Sequence, residues 1–69
     1  MITLEQIRKR LIESIHHSGI SQTQLAKKLH VSQSTIAHYL KGDILPALDT
    51  LANLCTILDV SPSYILCFE

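Results

Sequence analysis

The sequence predicts a compact all-α bundle of five short helices, forming one domain over residues 1–69. Apolar residues recur at helical spacing, and residues that commonly start helices precede most of these segments. Runs of β-branched residues with the two-residue period of a strand are absent. A chain of 69 residues is near the lower limit for a self-supporting core, so it has little room for a deep substrate cavity. Length alone therefore favours a binding module over an enzyme.

The first two helices are predicted from their caps. Thr3 and Gln6 fit a capping box ahead of the first helix, and Gly19 should end that helix near residue 18. Ser21 and Gln24 repeat the same spacing ahead of a second helix of about two turns.

The third helix is expected to have one apolar and one polar face. Ser32 can cap its start, and Gly42 suits the position after its end. One face would carry Ile36, Tyr39 and Leu40. The other would carry Gln33, Ser34, Ala37, His38 and Lys41.

Two proline-marked segments predict the last helices. Pro46 suits the start of a fourth helix, and Ser61 with Pro62 fits a cap and first position for a short fifth helix reaching Phe68. The predicted core stripe of the fourth helix is Leu48, Leu51, Ala52, Cys55 and Leu58.

Charge is divided along the chain although its sum is zero. Residues 1–42 contain all six Lys and Arg against two acidic residues, a net charge of +4, whereas residues 43–69 contain four acidic residues and no base. Such a division would let one side of the molecule bind a polyanion. The 46% hydrophobic content predicts either nearly complete burial of apolar residues or a partner that covers some of them.

Several kinds of site are not expected. Cys55 and Cys67 fit neither a disulfide framework nor a metal-ligand pattern, and a reducing, cytoplasmic setting suits them. No apolar run approaches the length of a membrane span, and the N-terminal residues do not resemble a signal peptide. Neither a Gly-rich phosphate loop nor a nucleophile with a base is evident. We therefore expect no enzyme activity, metal, cofactor or small-molecule substrate.

The stretch from residue 22 to residue 40, QTQLAKKLHVSQSTIAHYL, has the features of two short helices joined by a tight turn. Ala26 offers a small residue where the helices would cross, and the outer face after Ser32 is short and polar. This stretch resembles the helix-turn-helix core of the Cro/repressor (XRE-type) family of DNA-binding domains. The segment LDTLANLCTILDVSPSYIL resembles the helices that follow that core. The resemblance implies a lambda-repressor-like fold, with the helix-turn-helix core at about residues 21–41.

The resemblance also implies a function. Residues 32–40 would be a recognition helix in the major groove of double-stranded DNA, and the protein would be a transcriptional regulator, a repressor in our interpretation. Base contacts would come from Gln33, Ser34 and His38. Contacts to the DNA backbone would come from Gln22, Ser32, Thr35 and Lys41, and Gln22 would also brace Gln33. Gln can pair with adenine in two hydrogen bonds, and hydroxyl groups suit phosphates.

The sequence departs from the family pattern at two places. His30 stands where the turn commonly has Gly, so we expect a histidine with positive φ. Ile15 and Leu40 stand where the family often has a buried Arg–Glu pair, so we expect them to meet in the core. Exchange of a buried ion pair for apolar residues is often neutral or stabilising.

Residues 64–68 are five consecutive apolar residues, and a helix cannot turn all of them inward. Family members commonly pair through this end of the domain. We therefore expect a homodimer that uses Tyr64, Ile65 and Phe68 and binds a pseudo-palindromic operator. One alternative is that this tail folds back onto the first helix. A broader alternative is a helix-turn-helix-shaped module that binds protein within a larger assembly.

Overall fold

Five helices and no strand are present in the computed structural model, which describes residues 1–69. The helices are α1 (Leu4–His17), α2 (Gln22–Leu29), α3 (Gln33–Lys41), α4 (Leu48–Leu58) and α5 (Pro62–Ile65). The all-α fold class predicted from the sequence is confirmed. None of these helices combines the length and the apolar character needed to cross a membrane.

Each helix contributes one large side chain that is completely enclosed. These five are Leu11, Leu25, Ile36, Leu54 and Ile65. The other buried apolar residues are Ile15, Ala26, Tyr39, Cys55 and Leu58. Because α2 and α3 are joined to this shared core, the rest of the bundle fixes the angle between them.

The predicted caps are present. The Thr3 N–H donates to Gln6 Oε1 at 2.9 Å, and the Gln6 N–H donates to Thr3 Oγ1 at 3.3 Å, which completes a capping box. Ser21 Oγ accepts from the Gln24 N–H at 3.1 Å, although the Gln24 side chain returns no bond. Both helix starts are therefore fixed by residues within one turn.

The turn between α2 and α3 needs a left-handed residue, as predicted. His30 has φ 58° and ψ 41°, and the following Val31 N–H donates to the Ala26 carbonyl at 3.0 Å. That bond closes α2, and the chain turns within three residues before α3 begins.

The prediction for α4 was wrong in two respects. The helix begins at Leu48 rather than Pro46, and its cap residue, Ala47, makes no side-chain hydrogen bond. Leu48 and Ala52 are exposed, whereas Leu54 is fully buried. Buried residues of α4 lie at Leu54, Cys55 and Leu58, with Leu51 half-buried beside them. The buried face is thus rotated from the predicted one because α4 packs against α2.

The chain also ends differently from the prediction. Helix α5 stops at Ile65 rather than continuing to Phe68, because Cys67 adopts a positive φ of 67°.

Ile15 and Leu40 were expected to meet in the core in place of the buried Arg–Glu pair of the family. Ile15 is buried and Leu40 is half-buried against the core, so neither side chain lies free in solvent. Direct contact between them stays a prediction.

Candidate nucleic-acid interface

Helices α2 and α3 form the unit on which the predicted site is built. Leu25 and Ala26 of α2 and Ile36 and Tyr39 of α3 are buried. Ala26 has no side chain beyond Cβ, so the two helices can approach closely at this point. Since the inner face of α3 is fixed by Ile36 and Tyr39, its outer face is held in a defined direction.

Polar side chains form a row on that outer face. Gln33 and Ser34 lie in the first turn of α3, and His38 follows Ser34 one turn later. All three are exposed. Residues four apart lie on one side of a helix, so Ser34 and His38 are neighbours. The structure therefore brings together the three residues predicted to contact bases.

Hydroxyl groups cluster at the start of α3. Ser32 Oγ accepts from the Thr35 N–H at 3.2 Å and lies 2.9 Å from Thr35 Oγ1 and 3.0 Å from Ser34 Oγ. Ser32 and Ser34 are exposed, and Thr35 is half-buried. Hydroxyls and free N–H groups at a helix start suit a phosphate oxygen, which also benefits from the helix dipole.

The remaining predicted backbone contacts lie at the edges of this face. Gln22 is the first residue of α2, and Lys41 is the last residue of α3; both are exposed. No hydrogen bond joins Gln22 to Gln33, so the structure lacks the bracing contact that the family resemblance implied.

Sequence reasoning missed a partner of His38. Asp43 Oδ2 lies 3.1 Å from His38 Nδ1. The sequence contains a signal for this pair, because Gly42 was predicted to follow the end of α3 and Asp43 comes directly after it. In the structure Gly42 ends the helix, and the Asp43 N–H donates to the His38 carbonyl at 3.1 Å. Asp43 also limits the predicted division of charge, because one acidic residue lies beside the basic part of the molecule.

Two arginines of α1, Arg8 and Arg10, also make contacts within the protein. Arg8 pairs with Glu5 at 3.1 Å and lies against Gly42, where an added Cβ would meet Arg8 Cδ at 2.9 Å. Its Nε is buried without a hydrogen-bond partner. Arg8 thus packs beneath the end of α3 rather than lying wholly in solvent.

Arg10 holds the C-terminal segment against α1. Its guanidinium donates to the carbonyl oxygens of Tyr64 at 2.7 Å and Glu69 at 2.8 Å, and lies 4.6 Å from the centre of the Tyr64 ring. The alternative in which the tail folds back onto the first helix is therefore present in the structure.

This packing corrects the predicted dimer residues. Ile65 is 0% exposed and belongs to the core, so it cannot contact a second molecule while the bundle is folded. Tyr64 keeps 38% of its surface exposed and Phe68 keeps 77%. Only these two of the three residues remain accessible.

Comparison with known proteins gives one match. A family model described as helix-turn-helix matches residues 7–65, which is most of the chain. This chain belongs to the XRE-type helix-turn-helix family. Members of this family are DNA-binding regulatory domains, and the helix-turn-helix formed by α2 and α3 is consistent with this membership. Searches of curated proteins and of solved structures give no match.

The helix-turn-helix domain has few other candidate sites. No three His, Cys, Asp or Glu side chains converge in the arrangement that a metal ion requires. Burial raises the pKa of the Cys55 thiol and of the Tyr39 phenol above their ordinary values. Both groups lie in the core, so these shifts reflect packing rather than a reactive site.

Proposed function

We propose that this domain binds double-stranded DNA in a sequence-specific manner, with α3 in the major groove, and acts as a transcriptional repressor. The observation that carries the proposal is the exposed row of Gln33, Ser34 and His38 on the face of α3 opposite its buried residues. The major groove is wide enough to admit a helix, and its base edges carry the donors and acceptors that such side chains recognise.

In this proposal the remaining polar residues hold the DNA backbone. Ser32 and Thr35 meet a phosphate at the start of α3, while Gln22 and Lys41 meet phosphates at the two edges of the site. Support comes from the hydroxyl cluster at the helix start and from the exposure of Gln22 and Lys41. Phosphate contacts set the position of the protein, and base contacts set the sequence that it prefers.

The experiment that tests the proposal measures DNA binding against salt concentration. Binding to duplex DNA should weaken steeply as salt rises, because each phosphate contact releases condensed counterions. A chain that binds no duplex even at low salt would favour the alternative, a module that binds protein through the same face.

We further propose that two copies bind a pseudo-palindromic operator. Seven large apolar residues remain exposed in the single chain, and Phe68 is among them. A second copy could cover Phe68 and the exposed part of Tyr64, and two-fold symmetry in the protein would match two half-sites about one helical turn apart.

The proposed dimer can be tested with two matched variants. Phe68→Ser should lower the sedimentation-derived association constant and the cooperativity of binding to a two-site operator. Leu48→Ser is the control, because Leu48 is 86% exposed and lines a groove that neither Tyr64 nor Phe68 lines. If Leu48→Ser abolishes association and Phe68→Ser does not, the interface lies at that groove instead.

A further inference from the structure

Asp43 lies beside the proposed reading face without belonging to the predicted site. Its Oδ2 is 3.1 Å from His38 Nδ1, with side chains 50% exposed for His38 and 51% for Asp43. The backbone of Asp43 is fixed as well, since its N–H donates to the His38 carbonyl after Gly42 reverses the chain. The backbone hydrogen bond therefore places Asp43 beside His38, and the carboxylate itself contacts the ring at Nδ1.

The chemistry of this contact determines which ring nitrogen remains free. An ionised carboxylate can only accept hydrogen bonds, so Nδ1 must carry the hydrogen and donate it. Nε2 makes no hydrogen bond within the protein. In a neutral imidazole with its hydrogen on Nδ1, Nε2 is an acceptor. In the major groove its partners would be the amino groups of adenine N6 and cytosine N4.

Resting on the proposed placement of α3 in the major groove, we infer that Asp43 is a positioning residue that fixes the tautomer and direction of neutral His38, so that Nε2 accepts a hydrogen bond from an adenine or cytosine amino group. Asp43 itself touches no base. Its charge opposes binding to phosphates, because DNA attracts cations and repels anions along its whole length. Asp43 therefore lowers the affinity for DNA of any sequence and increases the preference for one base.

Two variants of Asp43 separate its charge from its hydrogen bond. Asp43→Ala removes both, whereas Asp43→Asn removes the charge and keeps an oxygen that can accept from Nδ1. Both should bind random duplex DNA more tightly than wild type does. Only Asp43→Ala should lose preference at one base position, by roughly three- to tenfold, the range expected for one hydrogen bond.

Selection of bound sequences from a random duplex pool measures this preference. We expect His38→Ala and Asp43→Ala to lose preference at the same base position, with an adenine or cytosine preferred there by wild type and by Asp43→Asn. The double variant should lose no more than either single variant. If Asp43→Ala keeps the preference that His38→Ala loses, or if His38→Ala loses none, the inference is overturned.

A second measurement does not depend on DNA. Nitrogen-15 NMR of the free protein distinguishes the two tautomers of neutral histidine. His38 should carry its hydrogen on Nδ1 in wild type, and this tautomer should lose its dominance in Asp43→Ala. If the hydrogen lies on Nε2 in wild type, the inference fails even when DNA binding is normal. If the tautomer is as expected but no variant binds DNA, the proposed function fails and the base-reading role of the pair fails with it.

Discussion

Lys41 is proposed to contact phosphate rather than bases, and an ammonium group interacts with a phosphate whatever the neighbouring base sequence. Lys41→Ala should weaken binding to all sequences alike and flatten the dependence of log affinity on log salt by about one unit. Lys9→Ala is the control. It removes the same charge from α1, where Lys9 lines a depression with Tyr64 and Cys67. Equal effects of the two variants in a salt titration would contradict the assignment of Lys41.

The two cysteines differ in burial, and this predicts their reactivity. Cys55 is 3% exposed, and burial raises the pKa of its thiol, so less of the reactive thiolate is present at neutral pH. Cys67 is only half-buried. Iodoacetamide should modify Cys67 first in the folded protein and Cys55 only after unfolding, as followed by mass spectrometry. Equal rates in the folded protein would show that the core near Cys55 opens readily.

Single residues were predicted well where the relevant contact is local. The capping role of Thr3 depends on neighbours within a few positions, so the sequence was sufficient; the positive φ of His30 was expected because the family resemblance places a glycine at that position. The contacts of Arg10 with Tyr64 and Glu69 join residues 54 and 59 positions apart. Such contacts depend on how the helices pack, which no local pattern describes.

At the scale of the elements, α4 shows how a helical pattern can be ambiguous. The predicted stripe and the observed buried face share Leu51, Cys55 and Leu58, and differ at Leu48, Ala52 and Leu54. The helix is apolar around much of its circumference, so spacing alone did not decide which face is buried. The position of α2 decides it, because Leu54 faces the core that α2 helps to form.

This rotation of α4 predicts unequal effects of two leucine truncations. Leu54→Ala should lower the free energy of unfolding by about 2–5 kcal/mol, because it leaves a cavity in a fully buried position. Leu48→Ala removes the same atoms from an exposed position and should change stability by less than about 0.5 kcal/mol. Denaturation in urea measures both. If Leu48→Ala lowers the free energy of unfolding more than Leu54→Ala does, the buried face of α4 is the one predicted from the sequence.

The turn between α2 and α3 contains a strained residue. A left-handed conformation costs a residue with a Cβ about 1–2 kcal/mol, and glycine avoids this cost while losing more chain entropy on folding. His30→Gly should therefore stabilise the domain by up to about 1 kcal/mol in thermal or urea denaturation. His30→Ala keeps the Cβ and should give no such gain. A destabilising His30→Gly would mean that the His30 side chain contributes a contact that offsets the strain.

Across the whole molecule, the N-terminal and C-terminal segments are joined by Arg10, and apolar side chains remain at the surface. The high hydrophobic content allowed either full burial or cover by a partner, and the exposure of residues such as Leu48 and Phe68 excludes full burial within the single chain. The sequence predicted apolar surface at residues 64–68, but it could not show that Ile65 faces the core. The five-residue run has no polar residue to mark which side is outside.

Predicted and observed structure agree best for the α2–α3 unit. Its caps, turn and polar face are specified by adjacent residues, and the row of Gln33, Ser34 and His38 is exposed as expected. The role of that row in binding DNA stays a prediction, as does the role of each phosphate contact.

The measurement that tests the central claim most directly is selection of bound sequences from a random duplex pool by wild type and by Gln33→Ala. Wild type should select a defined sequence. Gln33→Ala should bind that sequence about 1–3 kcal/mol more weakly and lose preference at one base position, where adenine is the base that Gln pairs with in two hydrogen bonds. If Gln33→Ala keeps both its affinity and its base preference, α3 does not read the major groove through Gln33, and the protein-binding alternative becomes the better account.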